Sequence, residues 1–164
     1  MTINTLKDVY IDQLQDLYSA CEQSKIVTAE LKDAASNARL KEALDAGVKG
    51  IEDGMETLEK LIKGHDADPE GEHCKGMEGL VNEARAHGLE EDFGDSDAQD
   101  AMIITQYHRM AHYAIAGYGC CAAFATQLGL PGDTEALKKC LDASYDGDRT
   151  MTQIAENQVN DAAA

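Results

Sequence analysis

His108 and His112, in the stretch QYHRMAHYAIAGYGCC (Gln106–Cys121), are the residues whose type and spacing come nearest to metal chemistry. Residues i and i+4 share one face of a helix, and two imidazoles one turn apart can grip a single ion. That reading requires further His, Asp, Glu or Cys groups converging from other helices. The alternative is that both imidazoles hydrogen-bond across a helix or subunit contact, and the sequence leaves the two readings open.

Other chemistry-bearing residues offer less. The cysteines, Cys21, Cys74, Cys120, Cys121 and Cys140, are odd in number and include no CxxC pair. They read as small buried apolar residues, not as a disulfide framework. The run DADPEGEHCKGME places Asp66, Asp68, Glu70 and Gly71 at the first, third, fifth and sixth positions of a calcium loop. Its twelfth position is Met77, and Glu78 falls one residue late, so the run reads as a solvated acidic loop. There is no phosphate-binding glycine loop, dinucleotide fingerprint or nucleophile elbow.

The elements that must position these residues are helices. Two prolines, Pro69 and Pro131, are the only ones in 164 residues, and no alternating β pattern of useful length occurs. The first helix is predicted over Asn4–Ala35, with Thr5 and Asp8 as a capping box. The second runs over Ala38–Lys63 after an N-cap in SNAR, and the short third over Cys74–His87, ended by Gly88. The fourth runs over Asp97–Leu128, with Ser96 and Gln99 as its capping box, and ends at Gly129 with Pro131 just beyond. The fifth starts at Asp133 or Thr134, reaches Asp161, and leaves a frayed AAA terminus.

At about 100° per residue, Tyr107, Ala111, Ala114, Tyr118 and Cys121 share the face assigned to the bundle axis. His108, His112, Ile115 and Gly119 lie on a neighbouring face. Ala111–Ala125 is apolar on most sides and is expected to be buried on most sides. Gly117 and Gly119 within that helix predict a close approach by another helix or a second subunit.

Composition bounds the function. The net charge of −17, from 31 acidic and 14 basic residues, repels phosphate backbones and anionic lipid, so neither nucleic acid nor a membrane is expected as a partner. No apolar run approaches the roughly 18 residues of a membrane span, and the N-terminus has no signal-peptide pattern. The expected location is the cytoplasm.

Four blocks, DVYIDQLQDLYSA (Asp8–Ala20), MEGLVNEA (Met77–Ala84), HYAIAGYG (His112–Gly119) and ATQLGL (Ala125–Leu130), resemble the YciF/YciE-type ferritin-like family (DUF892) in order and spacing across nearly the whole chain. The resemblance implies a ferritin-like bundle, usually dimeric, associated with bacterial stress responses, with a di-metal carboxylate site in its core. Against that pattern the chain departs throughout. Cys21 stands where a glutamate follows YSA, with Glu22 one step along. The ExxH pair of the second helix falls on Lys49 and Glu52, and the glutamates beside HY fall on Ala111 and Ala114. The acidic run of the fifth helix leaves Asp142, Asp146 and Asp148, with Ser144 at an implied ligand position. Of the implied ligands, Glu52 and Asp148 could still serve. Lys49 and Glu52, three residues apart, are expected to pair where metal would sit.

The expected architecture is therefore an all-α, ferritin-like antiparallel four-helix bundle plus one short additional helix, one domain over residues 1–164, assembling as a homodimer. The first functional reading is a stress-associated structural or interaction protein with a degenerate di-metal site, no cofactor and no catalysis. The second is an iron- or manganese-binding oxidoreductase with a rebuilt ligand set drawn from Glu52, His108, His112, Glu78 and Cys21.

Overall fold

A computed structural model describes residues 2–164. Helix α1 spans Leu6–Ala34, and its start is the expected capping box: Thr5 Oγ1 accepts from the Asp8 amide, and the Asp8 carboxylate accepts from the Thr5 amide. Helix α2 spans Ala38–Gly64, with the Asn37 side chain accepting from the amides of Arg39 and Leu40. The tight link between them is held from elsewhere in the chain. Fully buried Asp100 accepts from the Ser36 amide (2.8 Å), the Ser36 hydroxyl (2.6 Å) and the Asn37 amide (2.8 Å).

Helix α3 spans Lys75–Arg85 and runs on through a π-helical turn, Ala86–Glu90. Gly88 does not end it as expected. A Cβ there would stand 3.0 Å from Leu31 Cδ2, so this glycine serves a close approach to α1 and not a cap. Helix α4 spans Ser96–Gln127, and its cap is Asp95, one residue before the expected Ser96; the Asp95 carboxylate accepts from the amides of Asp97 and Ala98. The chain then reverses at Gly129 (φ +70°), where the Leu130 amide reaches back to the Ala125 carbonyl. Helix α5 spans Pro131–Ile154, beginning earlier than expected because proline is itself suited to the first helical position. A π-helical turn, Ala155–Val159, and a last α-helical turn, Asn160–Ala163, complete the chain.

Helices α1 and α2 form one antiparallel hairpin and α4 and α5 the other; α1 packs on α4, α2 packs on α5, and α3 lies against α1 and α4. The crossover through α3 makes α2 and α4 parallel across the axis, which leaves every adjacent pair antiparallel. The core divides into two apolar clusters along the axis. One gathers Val27, Leu31, Leu40, Leu44 and Ile103; the other gathers Tyr10, Leu14, Leu58, Ile62 and Leu137. Helix α4 is less enclosed than its composition suggests. Gly117 lies so close to α1 that a Cβ would meet Leu17 Cδ1 at 2.7 Å, yet Ala116, Cys120 and Ala123, on a neighbouring face, form an exposed stripe. Small apolar residues are tolerated at a surface because each exposes little area.

Candidate functional site

Two tyrosines of α4 cross the bundle axis toward α2. A Cβ at Gly47 would stand 3.2 Å from the Tyr107 phenol oxygen, and one at Gly54 would stand 2.5 Å from that of Tyr118. Glycine at both positions gives the phenols room. Between these levels, a Cβ at Gly50 would find nothing within 4 Å. The facing residues, Ala111, Ala114, Ala143 and Ser144, are small as well, and together they leave a cavity of about 590 Å³ opening between α2 and α5. It separates the two apolar clusters. The face of α4 assigned to the axis from periodicity, Tyr107, Ala111, Ala114 and Tyr118, is the face that lines it.

The inner cavity wall is neutral. The Cys21 Sγ lies 3.7 Å from the Tyr118 hydroxyl, and burial pushes its thiol up to about 12. Burial likewise raises the Cys140 thiol and holds Tyr118 well above the ordinary phenol value. Among the described residues, the carboxylates on the wall are Asp53 and Glu135, both exposed at the mouth and paired with Lys49 (3.7 Å) and Lys139 (2.9 Å).

One helical step off the axis, the same helices build a different cluster. Asp148 Oδ1 lies 2.6 Å from His108 Nδ1 and 2.9 Å from His112 Nε2. The register follows from the turn. His108 and His112 precede Gly129 by 21 and 17 residues, and Asp148 follows it by 19, so in an antiparallel pair Asp148 falls at the height midway between them. The three donor atoms lie within 4.8 Å of one another. Next along α5, Gly147 leaves room for the Tyr107 phenol, whose oxygen would be 3.2 Å from a Cβ there. Burial, and after it the Asp148 charge, raises the Tyr107 phenol.

The other candidate residues stand apart from this cluster. Glu52 pairs with Lys25 across α1 and α2 at 3.7 Å, and Lys49 pairs with Asp53, so the expected Lys49–Glu52 pair in the core does not form. The reason is rotation. Gly47, Gly50 and Gly54 turn inward, and Lys49, two residues or roughly 200° from Gly47, turns out to solvent. Glu78 is exposed and bonded to His73 Nε2 at 2.9 Å. Cys21 lines the axial cavity, and Cys120 is exposed where all five cysteines read as buried. In the acidic loop, the Asp68 carboxylate accepts from the Glu70 amide, and its carbonyl accepts from Gln15 Nε2 at 2.6 Å, which fixes the loop against α1.

Two features escape a reading of single helices. The glycines of α2 at i, i+3 and i+7 are a detectable signal for an underfilled face. The meeting of Asp148 with both histidines is readable from the residue count on either side of the Gly129 turn.

A family model described as a domain of unknown function, DUF892, matches residues 5–164. The chain is 32% identical to Protein YciF of Escherichia coli strain K12 over 164 residues, covering 99% of this chain and 98% of that one. The crystal structure of the E. coli stress protein YciF aligns with a TM-score of 0.89 at 31% identity, covering 96% of this chain and 99% of that chain. YcfI of Rhodopseudomonas palustris aligns with a TM-score of 0.87 at 26% identity, covering 93% and 96%.

Proposed function

The chain belongs to the DUF892 family of ferritin-like helical bundles, and from that membership and the make-up of its axis we propose a stress-associated structural or interaction protein that does not work through a di-metal centre. The observation that carries this reading is the cavity wall. A pair of hard cations close together needs bridging carboxylates. Where the family resemblance implies ligands, the wall presents Cys21, Ala111, Ala114 and Ser144. With its thiol raised to about 12, Cys21 stays protonated at neutral pH and behaves as an apolar wall residue. The residues present do not fit the di-metal group. The stress association enters from YciF, whose similarity covers both chains almost end to end.

The same reading takes the protein as a cytoplasmic homodimer that meets protein partners; the charge of −17 disfavours nucleic acid and anionic membranes. No helix among the described residues is long and apolar enough to cross a membrane. Metal analysis of protein purified from iron- and manganese-supplemented cells, followed by an iron-oxidation assay, tests the functional reading. No ion pair and oxidation at the buffer rate are expected. Two tightly held ions per chain would overturn it. Light scattering tests the dimer, and a monomer at micromolar concentration would remove it.

A second reading, a bundle binding iron or manganese through a rebuilt ligand set, is favoured by one observation: the convergence of His108 and His112 on one carboxylate oxygen. Glu52, Glu78 and Cys21 stand outside that convergence.

A further inference from the structure

We propose that His108, His112 and Asp148 form a mononuclear site for a borderline divalent transition cation, with zinc as the probe ion. The proposal is independent of the axial cavity and of the reading built on it. Two imidazole nitrogens and a carboxylate oxygen are a donor set that suits zinc and ferrous iron; calcium and magnesium prefer shells made of oxygen. The structure presents all three donors from one side. His108 uses its near nitrogen, His112 its far nitrogen, and both meet the same oxygen of Asp148, at 2.6 and 2.9 Å.

An ion about 2.0–2.1 Å from each donor spaces tetrahedral ligands by roughly 3.3 Å, so its entry parts these atoms by about half an ångström and replaces two hydrogen bonds with three metal bonds. Side-chain movement alone supplies that, because the two helices are already in register. The setting suits an ion that exchanges with solvent. Asp148 and His108 are 18% and 27% exposed and anchor the inner side, while His112 is 61% exposed and leaves the outer coordination positions to water or a small ligand. The guanidiniums nearest in sequence are engaged elsewhere, Arg149 with Asp146 at 2.5 Å and Arg109 with Gln106 at 3.4 Å. The acidic surface adds a general attraction for cations.

The test is calorimetric titration of the full chain with zinc in excess magnesium, repeated with cobalt, whose visible absorption reports nitrogen and oxygen ligation directly. One ion per chain is expected, with cobalt bands in the visible. His112→Ala, at an exposed position that leaves the fold intact by circular dichroism, should weaken zinc binding by about a hundredfold. His108→Ala should do the same, and His73→Ala, remote from the cluster, should change nothing. No saturable binding overturns the proposal, as does zinc binding that His112→Ala leaves unchanged. Either result leaves the reading of the axial cavity standing. Two ions per chain that survive His112→Ala would overturn both.

Discussion

The axis and the rim of the bundle's middle section are built from consecutive residues of the same two helices, and they carry opposite chemistry. Tyr107 and Gly147 face the axis; His108 and Asp148, one residue further, face outward. A step of about 100° separates a neutral cavity of small residues from a cluster of two imidazoles and a carboxylate. The difference is one of solvation. A carboxylate enclosed on the axis without a cation loses its hydration, and neutral alanine, serine and protonated cysteine avoid that cost. At the rim, water reaches His112, so charge there is sustained with or without an ion. The helices thus present donors one residue away from a neutral axis.

If the axis is underfilled only at its middle, substitutions along it should differ in sign. In the packed cluster beyond the cavity, Leu58 is fully buried, and Leu58→Ala should cost about 3 kcal/mol in urea unfolding. A loss under 1 kcal/mol would mean that the cluster is as loosely packed as the cavity. The buried thiols come next. Cys21 and Cys121 are both raised by burial from 9.0 to about 12. A group whose folded value is raised contributes stability below its unfolded value and loses it as pH rises. Between pH 9 and 10 the unfolded thiol goes from half to about nine-tenths ionised, so each should remove about 1 kcal/mol over that interval. Urea midpoints across that interval measure the slope, and Cys121→Ala should reduce it by one thiol's share.

The glycines of α2 sharpen the comparison at finer scale. Gly54→Ala places a methyl 2.5 Å from the Tyr118 phenol oxygen and should destabilise by about 1–2 kcal/mol. With Tyr118→Phe the nearest remaining ring atom is 3.6 Å away, an ordinary contact, so the same alanine should then be neutral or stabilising. An unchanged penalty in that background would place the strain elsewhere. The smallest effect is expected at Gly50, where no atom lies within 4 Å of an added Cβ: Gly50→Ala should stabilise by about 0.5–1 kcal/mol through helix propensity, read as a raised thermal midpoint.

The helices, the Thr5–Asp8 capping box, the Gly129 reversal and the axial face of α4 are legible in the sequence, because each depends on residues within a few positions of one another. The rotation of α2 is legible too: its apolar stripe, with Leu40, Leu44, Leu58 and Ile62, is the buried face, and that rotation sends Lys49 and Glu52 to the surface. What a single-helix pattern does not carry is the fit of the α4 phenols against Gly47 and Gly54, and of Leu31 against Gly88, each a contact between helices.

Sequence alone determined an acidic, all-helical chain, since composition and local periodicity carry that information, and the family resemblance adds that the metal positions it implies hold alanine, serine and cysteine. Tertiary structure decided which donors meet. Asp148 joins His108 and His112 because the Gly129 turn sets the antiparallel register of α4 on α5. That choice rests on the packing of one helix against another, which the residue count about Gly129 expresses but no single-helix pattern carries.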